Sequence, residues 1–218
     1  MGGSFYARGL FSVCAVIWAA LASGCAIGVK HDYVSQPPNL PISTSNQVTV
    51  VTQDLRPYIV LNKHPPSYVG RQRGGYGNPW DVKTQDHKPF ADVVSEVVGK
   101  ALEQKGIRVK TVSVSPQATA DQVKQAIRQG ASPRALLITV RDWDSDVYVN
   151  VNLDTDFKAE VFDQYGYTLA TNEVRDLSEK IGSSFWDPVD EGKRRVPEAL
   201  RSKLEKLLGD PKVVNALR

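Results

Sequence analysis

Apolar residues recur at spacings of three and four over 89–105. Phe90, Val93, Val94, Val97, Val98, Ala101 and Leu102 form one stripe there, the pattern of a helix with one buried face. Pro89 suits the first helical position, and Gly106 stands where a left-handed cap is wanted. Thr119 and Gln122 have the spacing of a capping box. The helix they predict buries Val123, Ala126 and Ile127 and ends at Gly130. A third stripe, Val196, Leu200, Leu204 and Leu207, predicts a C-terminal helix. Pro197 is expected in its first turn, because proline in a helix interior removes a hydrogen bond. Asp187-Pro188 is a further start signal, and Asp210-Pro211 opens a short last turn with Val213, Val214 and Leu217.

Alternation marks the strands. Residues 47–53 are rich in valine and threonine, which favour strands. Asp54-Leu55-Arg56-Pro57 breaks that run, and Tyr58, Ile59, Val60 and Leu61 suggest a second short strand. Residues 68–78, rich in Arg and Gly, read as an exposed excursion or hairpin. Residues 107–114 alternate as a strand. Leu136, Leu137, Ile138 and Val140 predict a buried strand. Val147, Val149, Val151 and Leu153 alternate with polar residues, so the next strand has one wet face. Asp163-Gln164-Tyr165-Gly166 is a turn, and 169–181 returns as a strand. The order predicts an α/β (α+β) fold: one two-layer sandwich whose mixed sheet ends in an antiparallel meander, with helices on one face.

The N-terminus follows another pattern. Residues 1–24 carry a single charge, Arg8, and an apolar stretch from Gly9 to Leu21. That stretch is shorter than the roughly 20 residues needed to span a bilayer. A basic start, a short apolar core and small residues before a cut describe an export signal. The small residues Ala22, Ser23 and Gly24 directly precede Cys25, as in a bacterial lipobox. Cleavage between Gly24 and Cys25 would leave Cys25 carrying diacylglycerol and an amide-linked acyl chain such as palmitate. Ala26 follows where an Asp would resemble an inner-membrane retention signal, which favours the outer membrane. Ordinary secretion with Cys25 as a free thiol is the alternative. Residues 25–46, with Pro37, Pro38 and Pro41 and no apolar period, read as a flexible tether. Residues 47–218 are then one periplasmic domain.

The formal net charge is +3, or +2 once Arg8 leaves with the leader, so no nucleic-acid footprint is implied. Cys14 is lost with the leader and Cys25 is acylated. The domain then has no disulfide and no cysteine nucleophile. Asp142, Asp144 and Asp146 alternate around Trp143 and could hold a hard cation. Val147 and Leu153 stand where an EF-hand loop needs Gly and Glu, so the plainer reading is a solvated strand end or charged turn, and no metal is assigned. Arg71 and Arg73, in a Gly-rich run with Tyr76, could cradle an anion, a lipid phosphate or an acidic partner. The plainer reading there is a mobile surface loop. His31, His64 and His87 have no metal-ligand spacing. No G-x-S-x-G elbow or Ser-x-x-Lys pair appears. Trp80, Trp143 and Trp186, with Tyr58, Tyr68 and Tyr76, could line a groove or pack under loops. No cofactor is assigned, and no catalytic residue is named.

The leader, Asp54-Leu55-Arg56-Pro57, Val69-Gly70-Arg71, Gly77-Asn78-Pro79, the helix 89–105 with its Leu102…Gly106 ending, and Ala135-Leu136-Leu137-Ile138 together resemble the YajG-type bacterial outer-membrane lipoproteins. The resemblance covers nearly all of residues 10–210. It implies location and fold rather than a mechanism. The reading is a lipid-anchored, non-catalytic accessory or interaction protein facing the periplasm. Its partners are the membrane, through the acyl chains, and an envelope protein. An exposed sheet edge would be one more working surface. The alternatives are a carrier of a small amphiphile or cell-wall fragment, and a hydrolase.

Overall fold

The computed structural model describes residues 28–44 and 46–218. Gly24, Cys25 and the rest of the expected leader lie outside the described residues. Eight strands join into one sheet: β1 (Lys30–His31), β2 (Val48–Asp54), β3 (Tyr68–Arg73), β4 (Pro79–Thr84), β5 (Val109–Ser113), β6 (Arg134–Val147), β7 (Asn150–Asp163) and β8 (Thr168–Ser183). The described helices are α1 (Pro57–Val60), α2 (Phe90–Glu103), α3 (Ala120–Gln129), α4 (Pro188–Leu208) and α5 (Pro211–Leu217).

Strand β6 organises the sheet. Along one side its first half pairs with β2, from Val48 opposite Arg134 to Asp54 opposite Val140. Its second half pairs on that side with β3, Gly70 opposite Ser145 and Gln72 opposite Val147. Both pairings are parallel. Along its other side β6 runs antiparallel to β7, and β7 to β8. The expected mixed sheet with an antiparallel meander is therefore present. Val48 and Val50 of β2, Leu136 and Ile138 of β6, and Phe157 and Ala159 of β7 face the main core, which α2, α4 and α5 cover. The intervening Val51, Ala135, Leu137 and Phe162 form a small second cluster under α3 on the other face.

The helix start signals act as their chemistry requires. Thr119 accepts from the Gln122 N–H at 3.3 Å, and Gln122 Oε1 accepts from the Thr119 N–H at 2.8 Å. Asp187 accepts from the Asp190 N–H at 3.0 Å and starts α4 at Pro188. Pro197 consequently lies inside α4, not in its first turn as expected. The earlier cap sets the start of the helix, and Pro197 is buried within it.

Three more expectations change. Residues 58–61 are not a strand. Pro57 presets the helical backbone angle, and the Arg56 carbonyl accepts from the Ile59 and Val60 N–H groups. Of the two readings of 142–146, the solvated strand end holds and the turn falls, because β6 continues through them to Val147. Nor is the stretch 28–44 a free tether. Val29, Tyr33, Leu40 and Ile42 are buried in the main core, and β1 adds itself to β4. Asn39 takes a contact from each of two helical regions, its N–H donating to Glu205 and its side chain accepting from Lys105. No apolar period announces this packing, because most of the segment is irregular and its side chains fill the core one at a time.

Candidate functional site

Residues 68–73 run alongside the second half of β6, which unites the two charged clusters singled out in the sequence. Alternation puts Asp142, Asp144 and Asp146 on the outer face and Trp143, Ser145 and Val147 inside. Arg71 Nη2 donates to Asp144 at 2.8 Å, and its Nε lies 3.4 Å from Asp146. Arg73 makes a two-pronged pair with Asp146, at 2.7 and 2.6 Å, the strong geometry for a guanidinium and a carboxylate. Tyr68 donates its hydroxyl to Asp144 at 2.8 Å, and Tyr58 donates to Asp142 at 3.2 Å. Burial, reinforced by neighbouring acids, raises the Asp142 and Asp144 carboxyls above the ordinary aspartate range, outweighing Tyr58 at the first and Tyr68 and Arg71 at the second. The acids meant for a cation and the guanidiniums meant for an anion thus satisfy one another. Among the described residues, no group of three metal-ligating side chains comes together.

Beneath this ladder lies a buried ion pair, in a run that the sequence marked as a strand breaker and a family-like motif but not as a pair. Arg56 is fully buried. Its Nε and Nη2 donate to Asp54 at 2.8 and 2.7 Å, and its Nη1 donates to the Tyr68 carbonyl at 2.7 Å and the Trp143 carbonyl at 3.3 Å. The guanidinium also sits 4.9 Å from the Phe90 ring centre, within cation–π range. It ties the end of β2 to the start of β3 and to β6. A short Asp-x-Arg spacing at a strand end was the available signal.

The aromatic residues divide into three sets. Trp143 is fully buried, stacks on Phe90 at 5.6 Å and donates to the Tyr33 hydroxyl at 3.2 Å. Tyr58 and Tyr68 pack with His64 beside the charge ladder. Tyr76, Trp80 and Trp186 are exposed. They do not line one groove.

A cleft of about 370 Å³ opens between residues 31–35, the turn at 85–88 and α2. Its wall includes Asp32, Lys88, Glu96 and Lys100, and Glu96 pairs with Lys88 at 3.0 Å and Lys100 at 3.4 Å. Asp86 and His87 both take left-handed backbone angles, φ 58° and 57°. His31 is buried, and neither ring nitrogen has a partner among the described residues. Burial first, then the charge of Lys193, lowers its pKa to about 3, so the ring is neutral.

No family model matches the sequence, and neither does any curated protein. A solved structure does share its fold. The crystal structure of protein XCC0632 from Xanthomonas campestris, of family DUF330, aligns with a TM-score of 0.52 at 15% identity, covering 87% of this chain and 96% of that one. Weaker likenesses include the PelC dodecamer of Paraburkholderia phytofirmans, with a TM-score of 0.41 at 14% identity over 79% of this chain and 91% of that one. A neuraminyllactose-binding hemagglutinin homolog from Helicobacter pylori aligns with a TM-score of 0.41 at 10% identity over 87% and 96%.

Proposed function

We propose that this protein is a lipid-anchored accessory lipoprotein of the bacterial outer membrane, of YajG type, whose domain faces the periplasm and acts by contact rather than catalysis. The observation that carries the reading is the run Leu21-Ala22-Ser23-Gly24-Cys25 after an apolar stretch with one basic residue. Cleavage before Cys25, with diacylglycerol on its sulfur and an acyl chain on its amino group, would anchor the chain without a membrane-spanning helix, since each buried methylene contributes about 0.8 kcal/mol. The pairing of Arg71 and Arg73 with Asp144 and Asp146 supports a contact role, because the charged side chains best placed for chemistry hold the sheet together.

The carrier alternative calls for an apolar pocket lined by aromatic residues. The cleft beside α2 is instead walled by paired charges, and Trp143 is core. The contact reading therefore stands ahead of it.

Mass spectrometry of the mature protein from cell membranes tests the anchor. A mass matching residues 25–218 with diacylglycerol and one acyl chain is expected. A retained leader or a free Cys25 thiol would sink the reading. A photo-crosslinking residue at the fully exposed Tyr76 tests the contact role in cells. Recovery of no envelope component would count against it.

A further inference from the structure

Large apolar side chains gather, exposed, at one end of the sheet. Strand β3 runs parallel to β6, so the β3–β4 turn lies beside the β6–β7 turn, and the Tyr148 hydroxyl donates to the Gly75 carbonyl at 3.4 Å. Strand β8 ends at the same level: Ser183 pairs with Asn150, and the Ser184 N–H donates to the Val149 carbonyl at 2.9 Å. Three loop tips therefore converge. They present Tyr76, Trp80, Tyr148, Val149, Phe185 and Trp186, of which Tyr76 is 100%, Trp186 92% and Phe185 73% exposed. Phe185 and Trp186 meet edge to face at 5.4 Å.

The chain enters the domain from this same end. Strand β1 is parallel to β4, Lys30 opposite Lys83, and β4 begins at the tip, where Pro79 pairs with Arg73. Val29 thus lies on the tip side of Lys30. Cys25 precedes Lys30 by a length of chain that reaches at most about 17 Å. Lys83 stands about 13 Å along its strand from Pro79. An acylated Cys25 can therefore sit level with the tips, and the packing of 28–44 leaves no slack to carry the domain away.

We infer that these three loop tips form a membrane-docking surface that enters the headgroup region of the bilayer beside the lipid anchor. The inference rests on the lipid-anchor reading above. Trp and Tyr rings, apolar in body and polar at one edge, settle at the membrane–water interface. The acyl chains on Cys25 hold the protein at the bilayer but leave the domain's orientation free, and the aromatic tips fix it. Arg73, at the end of β3 beside the tips, is already paired with Asp146, so the contact rests on the aromatic side chains.

The test reconstitutes the mature protein, purified from cells, into vesicles of phosphatidylethanolamine and phosphatidylglycerol with and without bromine on the upper acyl chains. Bromine quenches tryptophan that reaches the acyl boundary. Quenching is expected in the native protein, with at least half of it lost in Trp186→Phe and most of the remainder in Trp80→Phe. The buried Trp143 should keep its emission throughout and report an intact fold. Equal quenching in the native protein and Trp186→Phe, or none while the protein remains vesicle-bound, would overturn the inference. Unquenched Trp186 with chemical crosslinking between copies would assign the tips to a second copy instead. Mass spectrometry of the same sample separates the two readings: an unacylated Cys25 sinks the anchor and the geometry built on it, whereas an acylated Cys25 with unquenched Trp186 sinks the docking surface alone.

Discussion

Arg56 shows how a single buried charge can organise a junction. Its guanidinium is satisfied by Asp54, by two carbonyls and by the face of Phe90. Removing one partner of such a pair leaves the other charge buried and unpaired, at a cost of about 3–5 kcal/mol. Arg56→Met should lower unfolding stability by about that much, read as the shift of a urea midpoint, and the added change Asp54→Leu should recover part of it. His31 bears on pH instead. Its folded pKa of about 3 lies below the unfolded value of about 6.5. Between the two the unfolded chain binds the extra proton, so stability falls as pH drops through that window, by at most about 1.4 kcal/mol per pH unit. Asp142 and Asp144, raised in the fold, act the other way: their protons bind the folded state more tightly, and stability falls as pH rises from about 3.9 towards their folded values. The difference between native and His31→Phe isolates the histidine. Substitution should flatten the acid limb of a melting-temperature profile between about pH 6.5 and 4. An unchanged profile would mean that His31 is not held neutral in the fold.

At the scale of elements, legibility followed the strength of local signals. The stripe on α2 and the Thr119–Gln122 box could be read directly, because period and cap are local in sequence. Thr119→Ala should cost about 0.5–2 kcal/mol, measured by denaturation. The length of β6 could not be read, because its second half carries Asp142, Asp144 and Asp146 on the outer face and resembles a turn until Arg71 and Arg73 are placed opposite. That pairing joins residues more than seventy positions apart, and nothing local encodes it. Its register depends on Gly70, which adopts φ +142° with its Cα directly against the Ser145 backbone. Any side chain there would occupy space already filled by Ser145. Gly70→Ala should push β3 off β6, lowering stability by about 3 kcal/mol or more, and hydrogen exchange should show β3 and β4 opening before the β2–β6 core. Strand β8 is a long edge broken by register shifts and by a left-handed Ser178, devices that discourage an incoming strand. The expectation that a sheet edge receives a partner fits β8 less well than it fits β5.

Across the whole molecule, the largest departure from the sequence reading concerns where the domain begins. Prolines and polar residues over 25–46 suggest a spacer, and a spacer would let the domain wander above a membrane. Tyr33 instead sits among Phe90, Trp143 and His31, while Leu40 and Ile42 are fully buried in the main core. The segment is irregular, its prolines disfavouring helix, yet it is packed on the domain, and beyond it Asn46 donates to the Arg218 carbonyl. The two views part on one substitution. In a free tether, Leu40→Ala would leave stability within about 0.5 kcal/mol of the native protein. In a packed segment it leaves a cavity in the main core, and the cost is about 2–5 kcal/mol. Urea unfolding of the Leu40→Ala protein, followed by the fluorescence of the buried Trp143, should show the larger loss with an unchanged slope. That outcome would make residues 28–44 part of the folding unit and, on the proposed lipid-anchor reading, leave only the few residues before Gly28 to set the distance between the domain and the membrane.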